Sequence, residues 1–279
     1  MGKNNYVRIY LPDFNLRQIA NSGQCFRMEE TSAGIWELIA LNKRLQIQKE
    51  KNTSCYIFDC SRQDFEDIWF DYFDLGRDYG KIKANIKSIG DLYLTAAVNY
   101  GHGLRILQQN LWETIVTFLI SQQNNISRIK NIIAKLCEPY GYQFPTATML
   151  SKYTEDDFLA LGLGYRAKYL RNIIKAVMDG NLNLDALKTM NFCDAIGFLK
   201  RFDGIGDKVA NCIALFGLHQ MDAFPIDTWI RRIIDEQYGG NFDKARFPGY
   251  AGIVQQYMFF YQRSQVRKDI CSTAEFSAT

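Results

Sequence analysis

Residues 199–213 of this 279-residue chain read LKRFDGIGDKVANCI, and they carry more structural information than any other segment. An apolar helical pattern ends, two glycines separated by one apolar residue form a tight turn, and a second helix begins. Glycines let the backbone come close to a ligand, and unpaired amides at a hairpin and a helix start favour an anion such as a phosphate. The pattern predicts a helix-hairpin-helix at about residues 193–218. The glycines alone are equally compatible with a plain helix–helix turn.

Lys208 falls in the first turn of the second predicted helix. The positive end of the helix dipole disfavours an ammonium ion there, and shielding from water would favour the neutral amine further. A neutral amine is a nucleophile. The alternative is an ordinary solvated lysine at a helix start, because most lysines lie on the surface.

Asp227 stands in the segment AFPIDTW at residues 223–229, after a proline and before an amphipathic helix. It can be read as a helix N-cap and nothing more. A loop that returned beside the hairpin would instead pair this carboxylate with Lys208. An amine and a carboxylate can together displace a base from a sugar: the amine attacks, and the carboxylate stabilises the developing oxocarbenium charge.

The rest of the chain divides into a strand-rich part and a helical part. Alternating segments at 6–11, 35–39, 45–48 and 55–58 predict a small antiparallel sheet, because no helical pattern separates them. The predicted helices cover 111–123, 125–138, 154–161, 165–179, 191–201, 207–218, 227–238 and 250–263. We therefore predict an α+β chain with a sheet domain at 1–90 and a mostly α-helical domain at 91–279.

Composition and charge narrow the class of protein. The chain has seven cysteines without a CxxC pair, which favours reduced thiols in an intracellular protein over disulfides or a zinc site. We expect no signal peptide, and the longest apolar run, 115–120, is too short to cross a bilayer. The net charge is +3, and the excess lies in residues 100–279, with 20 Lys/Arg against 17 Asp/Glu. A polyanion would therefore dock on the second part.

These features resemble the helix-hairpin-helix, Gly/Pro…Asp superfamily of DNA glycosylases and, within it, the 8-oxoguanine DNA glycosylase/lyase family. Five motifs in the family's order carry the resemblance. They are SGQCFR at 22–27, FLISQQNNISRI at 118–129, LGLGYRA at 161–167, the hairpin with Lys208, Cys212 and the PID segment at 225–227, and YAG at 250–252 with Gln255 and Phe259.

The resemblance implies a bifunctional DNA glycosylase/AP lyase of base excision repair, which excises 8-oxoguanine, preferably opposite cytosine, through a lysine Schiff base and β-elimination. Lys208 would attack the sugar C1′, and Asp227 would assist. Gly23, in the sheet domain, would offer its carbonyl to the N7–H that guanine lacks. The remaining base contacts would come from Cys212 and Phe259, which sandwich the flipped base, and from Gln255, which bonds its pairing edge.

The resemblance also assigns contacts with the rest of the duplex. Tyr165 would wedge into the stack, and Arg128 and Arg166 would hold the orphaned cytosine. Gln123 or Asn124 would fill the vacated space. The amides of Gly204 and Gly206 would bind a backbone phosphate.

The sequence departs from the family pattern in several places. Gln123 replaces the first residue of an Asn triplet, Asp203 replaces a hairpin proline and puts an anion near the phosphate site, and Trp229 stands where animal relatives have histidine. After Asp227 only Cys271 remains of the four cysteines that hold an iron–sulfur cluster in other relatives. We expect no cofactor and leave a structural cation at the hairpin open.

Two other functions compete with this interpretation. An alkylated-base glycosylase of the same superfamily uses an aspartate and water, and it needs no lysine. A non-enzymatic DNA-binding module would need the hairpin glycines but not Lys208, Asp227 and the Gln255/Phe259 pair together. The expected partner is double-stranded DNA containing 8-oxoguanine. We expect the protein to be a monomer that does not associate with a membrane. The expected location is the cytoplasm or nucleoid of a prokaryote, or the nucleus of a eukaryote.

Overall fold

The computed structural model describes the backbone of residues 6–276 and the side chains of residues 6–265. A five-stranded antiparallel sheet forms the N-terminal part, in the order β1-β5-β4-β3-β2. Its strands are β1 (Val7–Tyr10), β2 (Met28–Ser32), β3 (Ile35–Ala40), β4 (Lys43–Lys49) and β5 (Cys55–Phe58). The sequence pattern identified four of these strands and missed β2, whose residues are mostly exposed.

The sheet forms because its strands alternate buried and exposed side chains. In β4, Leu45 and Ile47 are buried while their neighbours along the strand are exposed. Leu45 pairs with Leu38 of β3, and Ile47 pairs with Phe58 of β5. Cross-strand apolar pairs of this kind stabilise a sheet and fix its register. The buried face packs on a small aromatic core.

Helices make up the rest of the chain. The N-terminal part contributes α1 (Leu16–Asn21), α2 (Arg62–Asp64), α3 (Phe70–Tyr72), α4 (Tyr79–Ser88) and α5 (Leu92–Tyr100), with a π-helical turn at Phe65–Trp69. The central helices are α6 (Leu111–Ser121), α7 (Ile126–Cys137), α8 (Ala147–Leu150), α9 (Glu155–Ala160) and α10 (Arg166–Met178). The last are α11 (Leu184–Thr189), α12 (Phe192–Leu199), α13 (Asp207–Phe216), α14 (Thr228–Tyr238) and α15 (Ala251–Phe276). Short 3-10 turns lie at Glu138–Tyr140 and Lys244–Arg246.

The helical part has its own large core, built around α6. Residues 111–120 of this helix are buried apart from Glu113, because α7, α10 and α13 pack around it. Many of the helices start at an Asn, Asp or Thr whose side chain accepts a backbone amide, as Asn110 does for Glu113 and Asn125 does for Arg128. Such caps satisfy the free amides of a helix start and fix where each helix begins.

The predicted α+β fold class is confirmed. A sheet precedes a helical domain, and the hairpin lies between α12 and α13 as the sequence indicated. The core of the sheet includes Leu107 as well as residues from the first 73 positions, and the helical core includes Phe26. The proposed division at residue 90 stays a prediction. In the part of the chain that the structure describes, no helix is long and apolar enough to cross a membrane.

Candidate active site

The hairpin between α12 and α13 depends on two glycines with different tasks. Gly204 has a φ of +83°, and a Cβ there would lie 2.6 Å from Cγ of Tyr169 on α10. Gly206 is the N-cap of α13, makes no side-chain cap hydrogen bond, and leaves open space where a Cβ would be. Gly204 therefore lets the hairpin pack tightly on α10, while Gly206 leaves the start of α13 accessible to a ligand.

Lys208 follows directly in the first turn of α13. Its side chain is half-buried, and its Nζ lies 5.4 Å from the centre of the Phe118 ring and close enough to the buried thiol of Cys212 to affect the pKa of that thiol. Burial raises the pKa of the Cys212 thiol to about 11, with the charge of Lys208 acting in the opposite direction. The thiol therefore stays neutral near pH 7, and the lysine lies between an aromatic face and a neutral sulfur.

Asp227 faces this lysine from the start of α14. Its Oδ1 accepts a 2.9 Å hydrogen bond from the backbone N–H of Ile230, so it is the helix N-cap. Burial raises the pKa of the Asp227 carboxyl, and the Ile230 amide and the positive charge of Lys208 offset that effect only in part. Asp227 therefore acts as the N-cap of α14 and at the same time places a carboxyl group close to Lys208, so both interpretations of this residue from the sequence hold together.

Asn211 joins the two elements that carry Lys208 and Asp227. It lies on α13 one turn after Lys208, and its Oδ1 accepts a 3.0 Å hydrogen bond from the backbone N–H of Phe224. Its Nδ2 donates to the carbonyl of Asp207 at 2.9 Å. The loop that leads to Asp227 is therefore tied to the lysine's own helix. Sequence reasoning missed Asn211, since nothing in the pattern placed residue 224 beside it.

Helix α15 closes the site from another side. Gly252 lets it approach closely, because a Cβ there would lie 2.3 Å from Cδ1 of Leu215 and 2.8 Å from the carbonyl of Ala223. Gln255 is only 2% exposed, and its Nε2 donates to the carbonyl of Pro225 at 3.0 Å. The predicted base-contacting glutamine therefore lies against the segment that leads to Asp227.

Gly23 and Phe259 meet across the junction of the sheet and helical parts. Gly23 has a φ of +77°, and a Cβ there would lie 3.2 Å from Cε1 of Phe259, which is half-buried. The adjacent Gln24 is fully buried, and its carboxamide bonds the backbone of Arg105 and Leu107. This anchoring holds the Gly23 turn against α15.

Arg263 is a further residue at this junction that sequence reasoning missed. Its Cζ lies 5.2 Å from the centre of the Phe259 ring, and its Nη1 donates to the carbonyl of Asn21 at 3.4 Å. Its charge also acts to lower the pKa of Asp227. The available signal was its position one helical turn after Phe259.

A second group of predicted residues clusters at the α6–α7 and α9–α10 junctions. Tyr165 is 51% exposed at the start of α10. Arg166 is only 5% exposed, and it donates to the carbonyls of Gln122, Gln123 and Leu163. The guanidinium of exposed Arg128 donates to the carbonyl of Gly162 at 3.0 Å. Both arginines therefore link the turn between α6 and α7 to the turn between α9 and α10.

Gln123 and Asn124 differ in their exposure and in the hydrogen bonds that their side chains make within the protein. Gln123 is exposed, with a φ of +44°. Asn124 is half-buried; its Nδ2 donates to the carbonyl of Ile120 at 3.2 Å, and its Oδ1 accepts from the amide of Asn125 at 3.0 Å. The exposed glutamine is therefore the freer of the two side chains.

The acidic residues around the hairpin are held by neighbours. Asp203, the predicted anion near the phosphate site, accepts a 3.0 Å hydrogen bond from Nδ2 of Asn172 on α10. Asp207 forms a 2.5 Å ion pair with Lys200. Over the described residues, no group of three or more His, Cys, Asp or Glu side chains could hold a metal ion. Cys271 lies outside the described side chains, so the expectation about an iron–sulfur cluster stays a prediction.

Comparison with known proteins agrees with this geometry. Residues 6–115 match the N-terminal domain of 8-oxoguanine DNA glycosylase, and residues 116–246 match the HhH-GPD superfamily of base excision DNA repair proteins. The fold and the hairpin thus define a helix-hairpin-helix DNA repair protein.

Individual relatives narrow the assignment. The N-glycosylase/DNA lyase of Saccharomyces cerevisiae is 35% identical over 158 residues, which are 49% of this chain and 42% of the yeast protein. A structure of MBOgg1 with a low-affinity DNA ligand has 34% identity and a TM-score of 0.88, covering 95% of this chain and 98% of that one. The Clostridium acetobutylicum 8-oxoguanine glycosylase/lyase, bound to double-stranded DNA with cytosine opposite 8-oxoguanine, has 34% identity and a TM-score of 0.86, covering 94% and 97%. The chain belongs to the 8-oxoguanine DNA glycosylase family, as its motifs predicted.

Proposed function

We propose that this protein is a bifunctional DNA glycosylase/AP lyase that excises 8-oxoguanine from double-stranded DNA in base excision repair. The observation that carries the proposal is the position of Lys208. Its side chain is half-buried beside Cys212 and the Phe118 ring, and it interacts electrostatically with the Asp227 carboxyl. Similar proteins have been solved with DNA, one of them with cytosine opposite 8-oxoguanine.

The lysine and the aspartate supply the chemistry. The Lys208 amine must first lose a proton, and Asp227 is a better acceptor than an ordinary aspartate because burial raises its pKa. The free amine then forms a bond to the sugar C1′, while the N-glycosidic bond breaks and its electron pair leaves with the base. Asp227 passes that proton to the departing base and, as a carboxylate again, stabilises the positive charge that develops on the sugar. Ring opening gives the Schiff base, and loss of a C2′ proton expels the 3′ phosphate.

Base recognition follows from the residues around the lysine. The Gly23 carbonyl accepts the N7–H of 8-oxoguanine, a hydrogen that guanine lacks. A side chain at residue 23 would be strained at a φ of +77° and would crowd Phe259, so this position requires glycine. The base lies between Cys212 and Phe259, with its pairing edge toward Gln255.

The cluster around Tyr165 acts on the rest of the duplex. Tyr165, about half exposed, enters the stack, and exposed Gln123 fills the space that the lesion leaves. Arg128 reads the orphaned cytosine with the guanidinium nitrogens that Gly162 does not engage. Arg166 is buried, and four of its five N–H groups already donate to backbone carbonyls, so we propose that Arg128 contributes more to the preference for cytosine.

The competing functions fit the geometry less well. An alkylated-base glycosylase would leave Lys208 without a task in the centre of the site, and a passive DNA-binding module would not need the lysine and aspartate to be coupled. One chain supplies every residue of the proposed site, so we propose that the enzyme acts as a monomer. Amine chemistry also needs no metal.

The experiment is an incubation with duplex oligonucleotides in the presence of a chelator. We expect strand cleavage at 8-oxoguanine opposite cytosine and none in a matched duplex with guanine. Base release without strand cleavage until alkali is added would contradict the lyase activity. Preferential release of an alkylated purine would favour the alternative glycosylase.

A further inference from the structure

Two adjacent glutamines of α15 are both buried, although the sequence pattern singled out only the first. Gln255 is 2% exposed and Gln256 is 4% exposed. A carboxamide that is removed from water is destabilising unless protein groups satisfy it, so its partners indicate its task.

The two carboxamides form a directed chain of hydrogen bonds. Nε2 of Gln256 donates to Oε1 of Gln255 at 3.0 Å, and Nε2 of Gln255 donates to the carbonyl of Pro225 at 3.0 Å. A proline carbonyl can only accept, so the chain has one polarity. If the Gln255 carboxamide turned over, its oxygen would face the Pro225 carbonyl and its nitrogen would face the Gln256 nitrogen. The contact with Pro225 would be lost, and the contact with Gln256 would survive only if that carboxamide turned over as well.

The polarity of this chain decides what Gln255 can offer a base. Its nitrogen has two N–H groups, of which Pro225 uses one, and its oxygen has two lone pairs, of which Gln256 uses one, so the chain fixes on which side each atom lies. The remaining lone pair accepts a hydrogen bond from an N–H donor. Both bases have an exocyclic amine on the pairing edge, so they differ at N1: 8-oxoguanine presents N1–H to the fixed oxygen of Gln255, whereas 8-oxoadenine presents an unprotonated N1 that needs a donor.

We infer that Gln256 is a positioning residue, which holds the Gln255 carboxamide with its oxygen toward the base and so favours 8-oxoguanine over 8-oxoadenine. The inference rests on the proposed function of the site. Packing alone does not account for a glutamine here, because Oε1 of Gln256 is buried without a hydrogen-bond partner. A methionine would fill the same space without leaving an unsatisfied acceptor.

The test compares single-turnover excision of 8-oxoguanine and 8-oxoadenine, each opposite cytosine. In Gln256→Met the ratio of the two rates should fall by about threefold to tenfold, because one neutral hydrogen bond no longer fixes Gln255. Gln256→Glu should lower the ratio further, since a carboxylate attracts the Gln255 nitrogen and turns the carboxamide over. The second variant also keeps the test decisive if the first does not fold.

Gln220→Met is the matched control. Gln220 also donates to a backbone carbonyl, that of Met190 at 2.9 Å, and also has a buried Oε1 without a partner, but it lies after α13 and does not contact Gln255. Its ratio of rates should equal that of the unmodified protein. An unchanged ratio in folded Gln256→Met and Gln256→Glu would overturn the inference while leaving the proposed function intact. An unmodified protein that releases neither base would overturn both.

Discussion

Gly204→Ala tests whether the hairpin needs a glycine for conformation, for space, or for both. The residue has a φ of +83°, where an alanine is strained. The new Cβ would lie 2.6 Å from Cγ and 2.7 Å from Cδ2 of Tyr169. Those atoms belong to the base of the ring and cannot swing aside, so the hairpin or α10 must shift.

The two effects have separate magnitudes. The left-handed backbone conformation should cost about 1–2 kcal/mol in the free energy of unfolding. Inserting a methyl group into a closely packed contact should cost about a further 1–3 kcal/mol. We therefore expect Gly204→Ala to lose about 2–5 kcal/mol, measured by urea denaturation.

Two other glycines separate the contributions. Gly180 has a φ of +75° with nothing within 4 Å of an added Cβ, so Gly180→Ala should show the backbone cost alone. Gly206 has the same open space without a positive φ, so Gly206→Ala should lose only about 1 kcal/mol, because alanine is unfavourable at a helix N-cap, and should weaken duplex binding, because the methyl group lies where a phosphate would approach. Equal stabilities for Gly204→Ala and Gly180→Ala would refute the packing argument.

Three further substitutions test individual roles. Asp227→Asn keeps a capping side chain but loses the charge, so excision should slow by about a hundredfold or more with little loss of stability. Because burial raises the pKa of Asp227, the unmodified enzyme should lose activity as the pH falls through a value above the ordinary aspartate range. The pH profile of the variant should not show this loss. Near-normal turnover would leave Asp227 as a cap only. Phe259→Ala should weaken binding of lesion DNA by about 1–3 kcal/mol in a titration, and a lower melting temperature with unchanged affinity would make Phe259 a core residue. Arg128→Ala should reduce the ratio of the single-turnover rates opposite cytosine and opposite adenine by a larger factor than it slows excision opposite cytosine. Equal rates with all four opposing bases in the unmodified protein would show that Arg128 does not recognise the opposing cytosine.

The sequence predicted those parts of the fold whose signal is local. The hairpin at 199–213, the helix cap at Asp227 and the alternation in β4 are each visible within a few neighbouring residues. Strand β2 was missed because four of its five residues are exposed and it lacks an apolar alternation. Its place at the edge of the sheet is set by pairing with β3, which is a long-range contact.

The candidate site shows the same limit. Lys208 and Asp227 could be selected because their residue types carry the chemistry. The residues that hold them could not, since Asn211 acts through an amide 13 positions away and Arg263 reaches a turn 242 positions away. The pattern also could not show that the Arg166 guanidinium is buried against backbone carbonyls, because an arginine at a helix start is more often exposed.

Borohydride trapping on a duplex with 8-oxoguanine opposite cytosine tests most directly whether Lys208 is the nucleophile. Reduction of the Schiff base should leave a covalent protein–DNA adduct with the unmodified protein and none with Lys208→Gln, while both proteins still bind the duplex. Lys200→Gln, which removes a lysine of the same hairpin that pairs with Asp207, should still be trapped. An adduct that survives in Lys208→Gln would contradict the assignment of the lysine and, with it, the proposed mechanism.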